Sequence, residues 1–76
     1  MKAKYYMDHG TSKIAYKVLD ENKVIRVIDF DENKNISFFD NPFMVEAAKE
    51  NNNISKQKFL QVYRKVYKFI DEKIKL

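Results

Sequence analysis

The sequence predicts an α+β domain: an antiparallel meander of three to four strands, then a short helix, then a long C-terminal amphipathic helix. Three observations predict it. Short β-branched and aromatic runs separated by polar clusters fill the first half of the chain. Asn41-Pro42 opens a helical stretch with a capping residue and a proline at the first helical position. From Ser55 onward, apolar residues recur at helical spacing. Strands first and helices after is the α+β order.

The elements follow from local chemistry. Lys4 to Met7 is a short aromatic run and reads as an edge strand. Ile14 to Leu19 alternates, with Ile14, Tyr16 and Val18 on one side. The tetrad Asp20-Glu21-Asn22-Lys23 is a turn, and Val24 to Phe30 is a β-branched strand. Asp31-Glu32-Asn33-Lys34 is a second turn, and Asn35 to Phe39 is the next strand. The short helix runs to about Glu50. Asn51-Asn52-Asn53 ends it, because asparagine tolerates left-handed φ. Ser55 caps the long helix, which reaches toward Leu76, and Ile54 with Phe59 fits a hydrophobic staple.

Length and composition bound the function. The chain has 76 residues, which is one domain, 1–76, with a thin margin of buried surface. An aromatic share of 14% argues for a folded core. Cysteine is absent, so neither disulfides nor thiolate metal sites are expected, and the chain fits a reducing cytoplasm. MKAKYYMDHG has no apolar h-region, so no signal peptide is expected, and no run approaches the length of a membrane helix. The net charge of +4 is uneven: residues 1–19 carry +3, residues 20–50 carry −4 and residues 51–76 carry +5. Such asymmetry marks some nucleic-acid surfaces. Lysine, asparagine and isoleucine also have A/T-rich codons, so a low-GC genome supplies lysine without selection for phosphate.

Two stretches imitate active sites. MDHGTSK, residues 7–13, holds Asp8, His9 and Ser12, and His9 is the only histidine. With Gly10 between two strand signals it reads as a turn, and adjacent residues of a strand would point Asp8 and His9 to opposite faces. DFDENKNISFFD, from Asp29 to Asp40, has the oxygen-ligand spacing of a calcium loop. Lys34, however, stands where that loop needs glycine, the last ligand is Asp rather than Glu, and the flanks are strand-like. Asp31 and Glu32 at a turn tip lack the apolar enclosure that would raise one carboxyl pKa. With one glycine there is no phosphate-cradling loop. No catalytic residue, metal, cofactor or small-molecule substrate is expected.

The binding signals are stronger. Placed at 100° steps, Leu76, Phe69, Val62, Val66, Phe59, Ile70, Tyr63, Ile74, Tyr67 and Leu60 form an apolar arc of about 200°, broken only by Lys73. A helix lying on a sheet needs a stripe little wider than ~100°. The edges of this arc, marked by Leu60 with Tyr67 and by Phe69, therefore exceed what one sheet face absorbs. Pairing Leu19 with Val24 in the first hairpin puts Ile14, Tyr16, Val18, Ile25 and Val27 on one face, joined by Ile36 and Phe38. The other face then carries a Lys17/Arg26 cross-strand pair together with Leu19, Val24, Ile28, Phe30 and Phe39. Either the short helix, through Phe43, Met44, Ala47 and Ala48, folds back over that second face, or it is an association surface.

The expected function is a small, non-enzymatic, cytoplasmic interaction or regulatory module. It binds a protein partner or a second copy of itself through Leu60, Tyr67, Phe69, Phe30, Phe39 and Ile28. A compact basic chain without chemistry suits an accessory protein, of the kind mobile elements carry. The alternative is a nucleic-acid-binding accessory protein that uses the basic helix face of Lys58, Arg64, Lys65, Lys68 and Lys75. Against it stand Asp71, Glu72 and an arginine count of two, since arginine is the commonest base reader. Lys56 and Lys58 in the first helical turn oppose the macrodipole and are read as solvated lysines.

Overall fold

In a computed structural model, residues 2–75 are described. The elements are β1 (Lys4–Met7), β2 (Ile14–Val18), β3 (Lys23–Phe30), β4 (Asn33–Asp40), α1 (Pro42–Lys49), β5 (Asn52–Ile54) and α2 (Lys56–Ile74). The α+β class and the order of meander, short helix and long helix are those expected. Leu76, placed in the apolar arc of the long helix, lies outside the described residues. The strands form one antiparallel sheet in the order β4-β3-β2-β1-β5.

The fifth strand corrects two expectations. Asn52–Ile54 adds to β1, with Tyr5 opposite Ile54 and Met7 opposite Asn52. The aromatic run Lys4–Met7 is thus an inner strand, flanked by β2 and β5, and not an edge. The asparagines do not end α1 through a left-handed residue either, for no described residue outside glycine has positive φ. Instead the Asn51 side-chain amide donates to the carbonyls of Ala47 and Ala48, both at 3.2 Å, which satisfies the last turn directly. The two N-caps are as expected. The Asn41 side chain accepts from the Phe43 amide at 2.8 Å, and the Ser55 hydroxyl accepts from the Lys58 amide at 3.1 Å.

The register of the first hairpin differs from the expected one by a single residue. Val18, not Leu19, stands opposite Val24. Asp20 sets this: one carboxylate oxygen accepts from the amides of both Asn22 and Lys23, at 2.8 and 2.9 Å. The Leu19 amide closes the loop on the Lys23 carbonyl at 2.9 Å. A slip of one residue turns every side chain of a strand to the opposite face. Ile14, Tyr16 and Val18 therefore share a face with Val24, Arg26 and Ile28, while Ala15 and Lys17 share the other with Ile25 and Val27. The expected Lys17/Arg26 pair is absent. Lys17 stands over the Tyr5 ring at 5.9 Å and Arg26 over the Phe39 ring at 5.0 Å, on opposite faces.

Both faces are apolar, and each has its own helix. Met7, Ala15 and Val27 pack with Phe59, Val62 and Val66 of α2. Tyr6, Val18 and Val24 pack with Val45 and Ala48 of α1. The short helix does fold back over the second sheet face, as one of the two expected arrangements required. Ala15 and Ala48 are fully buried, so a helix meets small side chains in each layer.

Two outcomes test this architecture. Phe59, 2% exposed, holds α2 to the sheet, and Phe59→Ala is expected to cost about 3–5 kcal/mol in urea unfolding. The amides of the Asn22–Lys23 turn and the Lys23 ammonium hold the Asp20 carboxyl below its ordinary pKa. A lowered folded-state pKa contributes stability above the unfolded value of about 3.9 and loses it as pH falls through the folded value. Asp20→Asn keeps the oxygen acceptor without the charge. Its unfolding midpoint, followed by circular dichroism from neutral pH to about pH 2.5, is expected to fall less steeply at the acid end than that of the parent chain.

Candidate interaction surface

The stretch from Met7 to Lys13 is a turn tied down by its own polar groups. The Asp8 carboxylate accepts from the Gly10 amide at 2.8 Å, and the Thr11 hydroxyl accepts from the Lys13 amide at 3.1 Å. The His9 ring lies 3.1 Å from the Asn51 side-chain oxygen, so it links this turn to the end of α1 and is not hydrogen-bonded to Ser12. The calcium-like spacing is spent on a hairpin. Phe30 faces Asn33 across a tip of Asp31 and Glu32, so Asp29 lies on β3 on the α2 side while Asn33, Asn35 and Ser37 follow one another along the other face of β4, and the motif does not converge. Asp29 is 7% exposed and ion-paired to Lys34 at 2.7 Å. On the α1 face, burial first and the Asp8 charge second push the Tyr16 hydroxyl pKa up, with Arg26 opposing.

The expected contact residues divide into two groups. Ile28 is buried, and Phe39 packs against the cluster of Val24 and Val45 beneath α1. Leu60 is half-buried on the α2 layer. Helix α1, which the sequence posed as an alternative cover, packs with the cluster that Phe39 joins, while Ile28 is buried outside that cluster. Tyr67 stays 53% exposed, Phe69 37% and Phe30 40%. Three further side chains join them: Phe38 at 56%, Ile74 at 74% and Phe43 at 82%. The sequence places Phe38 on the same sheet face as Ile25 and Ile36. It sits on the correct face, opposite Ile25, but on the outermost strand, where α2 leaves it uncovered. The available signal was Phe38-Phe39 itself, because consecutive strand residues face opposite ways and both layers must then reach the edge to cover them.

These side chains are ordered by what lies beneath them. Tyr5, Phe59, Tyr63 and Tyr67 form a ladder of rings with centroid separations of 5.3, 5.9 and 5.9 Å, running from the buried centre of α2 out to solvent. Phe69 lies on the other flank of the helix under two cations, Lys34 at 5.9 Å and Lys73 at 5.4 Å from its ring centroid. Lys34 belongs to β4, so this part of α2 stands over one end of the open strand. The surface is thus aromatic with a cationic rim.

The basic residues of the alternative reading, Lys58, Arg64, Lys65, Lys68 and Lys75, are all exposed on α2. Lys75 is paired with Asp71 at 2.9 Å. Lys58 and Lys65 meet Lys13 and Gln61 around a cleft of about 130 Å³, with the Asp29 side chain on its wall. No helix is long and apolar enough to cross a membrane, among the described residues. Comparisons with family models, with curated proteins and with solved structures find no match for this chain.

Substitutions separate packing from surface. Tyr67→Ser loses one exposed ring contact and is expected to cost about 0.5–1.5 kcal/mol. Lys34→Ala, on the Phe69 flank, leaves the buried Asp29 carboxylate without its ion-pair partner and is expected to cost about 1.5–3 kcal/mol in chemical denaturation.

Proposed function

We propose that this chain is a non-catalytic protein-interaction module of the cytoplasm, accessory or regulatory in role, whose contact surface is the aromatic flank of α2 and the adjoining sheet edge. One observation carries the reading. After both sheet faces have received a helix, Tyr67 and Ile74 on one edge of α2, Phe69 on the other edge and Phe38 on the outermost strand still face solvent. Large apolar side chains left exposed on a small domain mark association, and aromatic rings are the side chains that anchor protein contacts. The lysines beside Phe69 favour a partner with acidic groups at the rim.

A photo-cross-linking phenylalanine analogue at position 67 tests this in cells that express the protein. A discrete adduct with a protein chain, whether a second copy or another, is expected from position 67 and not from position 68 on the polar arc of the helix. The adduct is expected to persist when salt is raised to about 0.5 M, because apolar contacts are little screened. Absence of any protein adduct from position 67 overturns the reading.

The cleft of Lys13, Lys58 and Lys65 favours the second reading, binding of a nucleic-acid backbone. That reading requires duplex affinity to fall steeply with salt, by about one decade of affinity per decade of salt for each phosphate contacted, and to drop with Lys65→Glu, Lys68→Glu. Salt-independent retention of a protein partner with no such duplex binding decides for the first.

A further inference from the structure

We propose that the open edge of β4 pairs with β4 of a second copy of this chain, giving a continuous ten-stranded antiparallel sheet with both α2 helices on the same side. The proposal rests on the protein-binding reading above and names the occupant of that surface. The argument begins with the two edges of the sheet, which are unequal. β5 is three residues long, a length that offers little to a passing strand. β4 is eight residues long and ends the sheet on the other side. It contains no proline and no bulge, and its inner positions hold Asn35, Ile36, Ser37, Phe38 and Phe39. Edge strands are ordinarily blunted by charge, proline, bulges or short length, and the middle of this one has none of those devices.

The ladder shows which groups are free. The Asp29 amide donates to Lys13 on the β2 side, and the Asn41 amide donates to Asn22 in line with the β3–β4 register. Antiparallel alternation then turns the amides and carbonyls of Asn33, Asn35, Ser37 and Phe39 toward β3. Those of Lys34, Ile36, Phe38 and Asp40 point to the open edge. These four residues also present their side chains on the α2 face, with Lys34 opposite Asp29, Ile36 opposite Val27 and Phe38 opposite Ile25.

Self-pairing centred on Ser37 is complementary in every outward-facing position. Lys34 meets Asp40 of the second copy, Ile36 meets Phe38, and the two-fold axis repeats both pairs. Four pairs exchanging two bonds each give about eight main-chain hydrogen bonds. Opposite charges and apolar pairs directly across an antiparallel ladder both stabilise it. Neighbouring even registers lose this match. One sets Lys34 against Phe38, and the other sets Asp40 against Ile36. Odd registers present the wrong backbone groups. Asp40 is exposed and has no ion pair of its own among the described residues, whereas Lys34 and Lys73 both stand over Phe69 at the end of β4 that the second copy's Asp40 reaches. The same arrangement brings the last turns of α2, with Phe69 and Ile74, toward Phe38 of the second copy, which this chain leaves 56% exposed.

Sedimentation equilibrium and residue-resolved amide exchange test the pairing on the intact chain. The mass is expected to rise with concentration from 9.1 kDa toward twice that value. The amides of Ile36 and Phe38 are expected to gain protection over the same range, while Asn35 and Ser37 are protected throughout. Asp40→Lys sets like charges across the ladder and Phe38→Lys puts a charge in its middle. Each is expected to weaken association at least about tenfold, with an unchanged far-ultraviolet spectrum showing that the monomer remains folded. A chain that stays at 9.1 kDa up to millimolar concentration overturns the proposal. So does a dimer in which Ile36 and Phe38 exchange as freely as in the monomer. Either result leaves the protein-binding reading to its own test, since cross-linking from position 67 does not depend on β4.

Discussion

The carboxylate of Asp20 governs more of this molecule than any other polar group. By gathering two successive amides it holds a loop that places Val18 against Val24, and this one register decides which residues of β2 lie beneath which helix. Shifted by a residue, Ile14, Tyr16 and Val18 would join Ile25 and Val27 on the α2 face, and Ala15 and Lys17 would join Val24, Arg26 and Ile28 beneath α1. With the observed register, Tyr6, Val18 and Val24 make a floor for α1, while Met7, Ala15 and Val27 make one for α2. Each helix has a place to lie because a turn of polar residues counts its loop correctly. The domain is therefore a sheet between two helices, and its core is two thin layers rather than one thick one.

Two thin layers explain the surplus at the rim. A five-stranded sheet is wide, and α1 has eight residues. It covers the region around Val24 and Val18 and stops. Helix α2 has nineteen residues and crosses its face from Phe59, beside Tyr5 on β1, to Phe69, beside Lys34 on β4. Its central residues Phe59, Val62 and Val66 are buried, but its wide apolar arc leaves an edge on each side. Tyr67 on one edge continues a ring ladder out of the core, and Phe69 on the other carries two cations. The exposed aromatics are thus extensions of packed clusters, held in place by buried neighbours. Rigid rings on ordered supports lose little freedom on contact, which suits them to recognition.

The acidic and basic groups divide along the same lines. Asp29 is buried where β3, β4 and α2 meet, and Lys34 answers it at 2.7 Å, while Asp40 at the far end of the same strand stands opposite Lys23 and makes no ion pair among the described residues. Lys13, Lys58 and Lys65 gather around a cleft that Asp29 also lines. One small domain therefore presents an aromatic rim with mixed charge and, beside Asp29, a cleft with three lysines. Their different salt responses make the two surfaces distinguishable in solution.

What the sequence determined by itself is whatever rests on near neighbours in the chain. Asn41 and Ser55 cap their helices through atoms two and three residues away, so both starts were legible. Alternation placed Ile36 and Phe38 on the α2 face, and the helical arc located Tyr67 and Phe69, because both periods are built into the backbone. Tertiary structure decided the rest. The Asn52–Ile54 strand exists only through pairing with β1, far away in sequence, and nothing in three polar-rich residues announces it. The hairpin register turned on one loop residue, and period two converts that single count into opposite faces. Whether Phe39 packed with the cluster under α1, and Phe38 lay beyond α2, depended on how far the two helices extend across the sheet. That distance is a property of packed layers, and no local pattern encodes it.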